Sequence, residues 1–456
     1  MIDVFQFNGD GMSAYLKDLV PDNIEDLIAT NSIYRPGTME TGGHKKYIEI
    51  KHGRMEPEYL FKMEEITKDT YSILIYQEQI LKLVQVAAGF TLADADSIRR
   101  AIGKKNMDLM KSYRDQFIKG CLDRGAPEGE PEKLWELIEV FAGYSFNRAH
   151  AACYAILGYI TAYLKAHYPV EFYTTAFQFV KDDKMGKASV ARIVSEIHKI
   201  GSIKVMPADI NNSNFHIVGD HKLKRIYWSL KKIKFVGEVA VKNILKEREE
   251  GGNFYSFEEF YIRMQGKKIN KKALFNMALC GCFDEIEKVK VPSDRLRIVR
   301  KFRDIVKVDL PETFSNGELT RQDYFWSKLA KALTGFGYID FKKIADRSSL
   351  SNLMKYYIDE DEIFSEESEN KYVLLSGQFV ELKERKSKNG PFCQLELSLN
   401  YNNIFCTIWN DKYEEFRQQL TGADGRVVII YGQIKMDNWK KKNVIYSIEK
   451  TKIEII

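Results

Sequence analysis

Between Pro21 and about Gly201, apolar residues recur at helical spacing and are bounded by residues that start and stop helices. Pro21 stands where a first helical turn would begin, ahead of Ile24, Leu27 and Ile28, and Ile80, Leu81, Val84 and Ala88 form a stripe that Gly89 ends. Thr91 with Asp94 has the spacing of a capping box, opening a short helix that Gly103 closes. Asn106 is expected to cap the next helix, whose apolar face (Leu109, Met110, Tyr113, Phe117, Cys121) runs to the turn at Gly125-Ala126-Pro127. Another helix follows Pro131, and Asn147 starts a long one ending near Pro169. Its apolar run, Ala151 to Leu164, is short of the roughly 20 residues needed to cross a bilayer and is read as a buried helix.

The pattern changes after residue 201. Short extended pieces (Ser202 to Met206, Lys224 to Ser229) lead into helices with a turn at Lys234-Phe235-Val236-Gly237-Glu238. A linker-like stretch from Pro292 to about Asn370 contains an apolar helix around Tyr324 to Leu333 and an acidic patch from Asp359 to Glu369, expected to be a solvated face or tether. From Tyr372 the period becomes two. Strand-like runs at 372–382, 392–399, 403–409, 427–435 and 443–454, with a helix from Asp411 to Leu420 after the third, follow the order of an OB-fold barrel. The expected fold is therefore multidomain: a mainly α-helical domain over 1–201, a second, mainly helical domain over 202–290, a helical and acidic linker over 291–370, and a β-barrel OB-fold over 371–456.

The net charge of +5 is mild for 456 residues and names no partner. Its distribution says more. Residues 97–124 hold eight Lys and Arg against three Asp. The six cysteines, Cys121, Cys153, Cys280, Cys282, Cys393 and Cys406, lack the spacing of a zinc site or a disulfide framework and are read as buried thiols. Met1 is followed by no basic, apolar leader, so the expected location is cytoplasmic, with no membrane partner.

Several strings then occur in a fixed order: Phe5-Gln6-Phe7, Ile33-Tyr34-Arg35-Pro36-Gly37, Tyr76-Gln77-Glu78-Gln79, Arg99-Arg100-Ala101-Ile102-Gly103-Lys104-Lys105 and Phe141 to Ala151, followed by Lys165-Ala166-His167-Tyr168-Pro169 and Asp209-Ile210-Asn211. Together they resemble the family C replicative DNA polymerases of bacteria, the DNA polymerase III alpha family, over nearly the whole chain. The resemblance implies that the first domain is the fingers, that Arg99, Arg100, Lys104 and Lys105 face the incoming dNTP, and that Asn147, Arg148 and His150 do so as well. Four cations in seven residues suit a triphosphate, whose leaving group needs positive charge through the transition state. Arg148 and Ala149 stand where the family usually has lysine and serine, so the charge is kept and a hydroxyl lost. Tyr154, one turn on, is either a base-stacking platform or core.

Family catalysis uses palm carboxylates that hold Mg2+, and the resemblance implies that these precede everything seen here. Asp94-Ala95-Asp96 does not supply them, because side chains two apart on a helix lie about 200° around its axis. The chain alone is accordingly expected to be inactive and to need a palm-bearing polymerase half as partner.

For DNA, the Phe235-Val236-Gly237 turn resembles a helix-hairpin-helix, with Phe235 in place of the first glycine. Gly237, Lys271 and Lys272 are its candidate phosphate contacts. In the barrel, two basic loops, with Lys383, Arg385, Lys386 and Lys388 in the first and Trp439, Lys440 and Lys441 in the last, suit single-stranded DNA, and Trp439 is the preferred stacking residue. Phe379, Phe392 and Phe405 are mostly expected in the core. Gln322-Asp323-Tyr324-Phe325-Trp326 loosely resembles a sliding-clamp peptide, with burial of that helix favoured. Two readings follow: part of a replicative polymerase that binds dNTP and primer-template DNA, or a non-catalytic, polymerase-derived DNA-binding or clamp-associated protein.

Overall fold

A computed structural model describes residues 3–456 apart from 104–106, 143–145, 181–189, 191, 195, 198–199, 315–322, 336–340, 359–362, 364–367, 369, 388–389, 400–402, 421–425, 438–441 and 447–450. The chain divides into two compact units, Met1–Phe172 and Tyr173–Ile456.

The longer helices of the first unit are α1 (Asp10–Leu19), α2 (Ile24–Ile33), α3 (Gly43–Lys51), α4 (Gln77–Ala88), α5 (Leu92–Gly103), α6 (Met107–Leu122), α7 (Glu130–Ala142) and α8 (Arg148–His167). Asn23 caps α2 by accepting from the Asp26 amide, so Pro21 lies outside the helix rather than in its first turn. The stripes of α4 to α7 meet in one core, including Leu83, Val84, Ile98, Phe117, Trp135 and Ile138. The capping box of α5 forms as the sequence suggests: the Asp94 amide donates to Thr91 Oγ1, and the Thr91 amide and hydroxyl donate to the Asp94 carboxylate.

The expectation of a buried α8 is overturned. Ala151, Ala155 and Gly158 form its one buried seam, against α2 and the N-terminal segment. Gly158 is needed there, since a Cβ would stand 2.4 Å from the Phe7 ring and 2.9 Å from the Phe5 carbonyl oxygen. The large apolar residues Ile156, Leu157, Tyr159, Ile160, Tyr163 and Leu164 are all exposed, because they project away from this narrow small-residue seam. Cys153 shares that outer side and is exposed, whereas the other five cysteines are buried as expected.

In the second unit, β1 (Lys204–Met206), β2 (Val218–Asp220) and β3 (Arg225–Tyr227) form a small sheet in the order β1-β3-β2. It leads to α9 (Glu238–Gly251), α10 (Phe257–Met264) and α11 (Lys271–Cys280). Phe257, Phe260 and Phe283 pack edge to face beneath them. The stretch expected as a linker carries two packed helices, α12 (Arg295–Val306) and α13 (Asp323–Thr334). Trp326, within the clamp-like string, is fully buried with Leu279 and Val299. Its helix therefore serves the core. Most of the acidic patch lies outside the described residues.

The last region has β4 (Tyr372–Ser387), β5 (Gly390–Ser398), β6 (Asn403–Trp409), α14 (Asn410–Leu420), β7 (Val427–Asp437), β8 (Lys442–Tyr446) and β9 (Lys452–Ile455). Strand β4 pairs antiparallel with β7 through its first half and with β5 through its second. A short parallel pairing of β6 with β8 links the remaining edges, giving the partly open OB arrangement. The final strand run is two strands, β8 and β9. The first basic loop is not a loop either: Lys383, Arg385 and Lys386 lie in β4, whose ladder with β5 continues to Ser387 opposite Gly390. Consecutive Lys383, Glu384 and Arg385 are all exposed there, so no apolar alternation marks the strand.

Candidate functional site

Three of the ordered strings meet at the start of α8. Tyr76 forms a parallel bridge with Phe146, and the Phe146 amide donates to the Ile75 carbonyl while the Gln77 amide donates to the Phe146 carbonyl. Gln79 holds this edge by accepting from the amides of Ile75 and Tyr76, at 2.8 and 3.0 Å. The Arg35 guanidinium lies 3.6 Å from the Phe146 ring centroid. Phe146, immediately before Asn147, is thus held by both its backbone and its ring.

Asn147 caps α8, its side-chain oxygen accepting from the His150 amide at 2.8 Å. The open helix end expected to receive phosphate is occupied by protein. Glu78 accepts from the Asn147 side-chain amide at 2.8 Å and from the Arg148 backbone amide at 3.1 Å. A carboxylate fills this position for the reason a phosphate would, since unpaired N–H groups and the helix dipole both favour negative charge. Arg148 itself grips Glu25 through Nη2, at 2.7 and 2.8 Å, and this contact raises its pKa. His150 stacks on Tyr154 at 4.4 Å, and Tyr154 leans on Phe5 at 5.3 Å. Tyr154 is half-buried, which leaves both roles foreseen for it compatible with its position. The two glutamates were missed in sequence because Glu25 and Glu78 are 123 and 70 residues from Arg148.

Arg99 and Arg100 occupy the last turns of α5 and share Asp96: Arg99 through Nε and Nη2 at 3.0 and 2.9 Å, Arg100 through Nη2 at 2.7 Å. The Arg99 hydrogen bond holds the Asp96 carboxyl below its ordinary pKa. Arg100 is the more exposed, at 68% against 34%. Asp94 is committed to its cap and Asp96 to the arginines, so these residues do not fit a magnesium pair. Lys104 and Lys105 lie outside the described residues.

In the second unit, the turn before α9 and the start of α11 come together. Asn276 of α11 donates to the Lys234 carbonyl at 2.8 Å, and the Lys272 ammonium stands 3.6 Å from the Phe235 ring centroid. Gly237 is the N-cap residue of α9 with no side-chain cap, and a Cβ there would meet nothing within 4 Å. Asn270 caps α11 and leaves Lys271 and Lys272 exposed on its first turn. Gly237, Lys271 and Lys272 thus share one surface.

On the barrel, Lys388, Trp439, Lys440 and Lys441 lie outside the described residues, as does the side chain of Lys386. Phe379 is in the core, while Phe392 and Phe405 are half-buried. A feature not anticipated is a row across three strands: Arg385 opposite Phe392, and Phe392 opposite Trp409, with the two rings stacked at 4.6 Å. Their neighbours Cys393 and Ile408 point into the core, so the row lies on the outer face. Among the described residues, no helix is long and apolar enough to cross a membrane.

Comparisons with known proteins address the same regions. The profile of the bacterial DNA polymerase III alpha subunit finger domain matches residues 1–125, and that of a helix-hairpin-helix motif matches residues 202–291. The DNA polymerase III subunit alpha of Aquifex aeolicus is 34% identical over 438 residues, which cover 95% of this chain and 36% of that protein. The Thermus aquaticus subunit is 38% identical over 67% of this chain and 24% of its own length, and the Escherichia coli subunit 36% identical over 62% and 24%. The chain therefore spans about a third or less of the relatives it matches. A structure of RecG bound to a three-way DNA junction gives a TM-score of 0.17 at 16% identity over 46% of this chain and 32% of that one, and does not bear on the fold. With the finger and helix-hairpin-helix matches in order, and one alignment running nearly end to end, the chain belongs to the bacterial DNA polymerase III alpha family and corresponds to a C-terminal portion of that subunit.

Proposed function

We propose that the chain is the nucleotide- and DNA-gripping portion of a replicative DNA-directed DNA polymerase. In this reading the fingers bind the incoming dNTP through Arg99, Arg100, Lys104, Lys105, Asn147, Arg148 and His150. The helix-hairpin-helix holds primer-template DNA, and the barrel takes the single strand. The observation that carries the reading is how Arg100 and Arg148 are paired: each contacts a partly exposed carboxylate, Asp96 or Glu25. Exposed ion pairs of this kind are worth about 0 to 1 kcal/mol. A triphosphate of higher charge can displace such a partner at little cost, whereas a deeply buried pair would not yield.

Chemistry then requires Mg2+ on carboxylates of a palm-bearing segment, so this chain by itself does not extend primers. The experiment combines the chain with a palm-bearing segment of the same family and follows primer extension. Arg100→Ala in that complex lowers the efficiency of nucleotide use by about 10- to 150-fold, the worth of a charge-assisted contact to phosphate, and leaves DNA affinity nearly unchanged. An effect confined to DNA affinity would reassign Arg100 to the template. A complex that assembles and binds DNA without synthesis would favour the non-catalytic, polymerase-derived binding protein.

A further inference from the structure

Phe235 stands at the position where the helix-hairpin-helix pattern has its first glycine. Its φ is +69°, a left-handed conformation that bulky side chains rarely adopt. The conformation is imposed from both sides. The Lys234 amide donates to the Leu333 carbonyl at 2.9 Å, the Lys234 carbonyl accepts from Asn276, and the Val236 amide donates to the Ile233 carbonyl at 3.0 Å. Val236 is buried, whereas Phe235 as a residue is 56% exposed. A large apolar side chain thus occupies a backbone position made for glycine and gains little burial there. Strain held in place by this many anchors, at a surface residue, calls for a function.

The surroundings identify the occupant of that surface. Residues 231–242 contain four lysines and one acid, Glu238, and residues 265–272 contain four lysines and no acid. Lys232, Lys234, Lys271 and Lys272 are exposed. Gly237 opens the amides of the α9 start beside them. This is a basic surface carrying a flat apolar ring, and Val239, another exposed apolar residue, follows two positions after Gly237. Phosphates account for the cations and amides but not for the ring. A ring flanked by phosphate contacts meets sugar edges and base steps, as the apolar wedges of minor-groove binders do. The Lys272 ammonium on the ring face keeps it upright and adds to the positive field.

We propose that Phe235 is a DNA-contacting wedge that presses into the groove of duplex DNA between phosphates held by the α9 start and by Lys271 and Lys272. The proposal rests on the reading of this turn as a DNA-binding element. The test is fluorescence anisotropy of a labelled primer-template duplex with the full chain, comparing wild type, Phe235→Gly, Phe235→Tyr and Lys271→Ala/Lys272→Ala.

Phe235→Gly relieves the backbone strain, so its melting temperature stays level or rises. Its duplex affinity falls by about 5-fold or more. Because no charge is lost, the slope of affinity against salt is unchanged, whereas the double lysine variant flattens it. Phe235→Tyr keeps a ring and retains affinity. The opposite result has a clear meaning. If the ring merely blocks the approach that glycine would allow, Phe235→Gly binds DNA as tightly as wild type or more tightly, and the proposal is overturned while the lysines still matter. If the lysine variant also binds normally, the DNA reading of the turn fails with it.

Discussion

Replacing Asp284 by Asn should be among the most damaging single changes in the second unit. Asp284 follows the Gly281-Cys282-Phe283 turn that ends α11, and it accepts from Arg295 through Nε at 3.0 Å and Nη2 at 2.6 Å. The Arg295 side chain is 8% exposed, so its charge is removed from water and answered by this one carboxylate among its described contacts. Gly281, at φ +97°, lets the guanidinium pass: a Cβ there would lie 2.5 Å from Nη2. Removing one partner of a buried pair costs about 3 to 5 kcal/mol, because the other charge stays buried and unpaired. With a urea dependence of about 2 to 3 kcal/mol per molar, the midpoint of unfolding should fall by roughly 1 to 2.5 M. The assay is urea denaturation followed by the fluorescence of Trp228 and Trp326, both buried in this unit. Adding Arg295→Met should recover at least half of the loss, since an apolar pair replaces the ion pair. A shift of less than about 0.5 M, or a double variant no better than the single one, would refute the argument.

Two further expectations concern the first unit. Gly158→Ala places a methyl group against the Phe7 ring and the Phe5 carbonyl, so overpacking should cost about 1 to 3 kcal/mol, read by thermal melting, and a neutral result would mean that the N-terminal segment does not lie on α8. Asp96 has a folded pKa below its unfolded value, so its contribution to stability is full above pH 4 or so and is lost as the pH falls through the lowered value; Arg99→Gln should return its titration, followed by NMR, toward the ordinary range.

The OB-like strand region was legible in sequence because short runs of strand-forming residues recur between Tyr372 and Trp409, and Asp411 to Leu420 interrupts them in helical register. The limit of that signal shows at Lys383, Arg385 and Lys386, where a run of charges hides a continuing strand. α12 was hidden in the same way, since Arg295, Arg297, Arg300 and Arg303 mask the stripe of Ile298, Val299, Phe302 and Val306. The burial of α8 was misjudged for a different reason. An apolar run states what a helix could bury but not what is available to cover it, and here the small residues Ala151, Ala155 and Gly158 take the contact. At the candidate nucleotide site, the caps and cations could be read locally. Their partners Glu25 and Glu78 could not, because nothing in local spacing connects positions so far apart.

The double duty of β4 also fixes an order of events. Its second half pairs with β5, which is close in sequence, Ser387 facing Gly390, so that this pairing costs little chain entropy to form. Its first half waits for a strand some sixty positions downstream, Tyr372 facing Gln433, and β9 then adds to that strand at Val428 and Ile455. The ribbon of β4 and β5 is therefore expected to form before the first half of β4 finds its partner. Closure by β7 is expected to be the slower step, since non-local strand pairing slows folding. Until then the strand carrying Val373 and Leu375, both core residues in the folded protein, is an open edge of the kind that pairs with other chains.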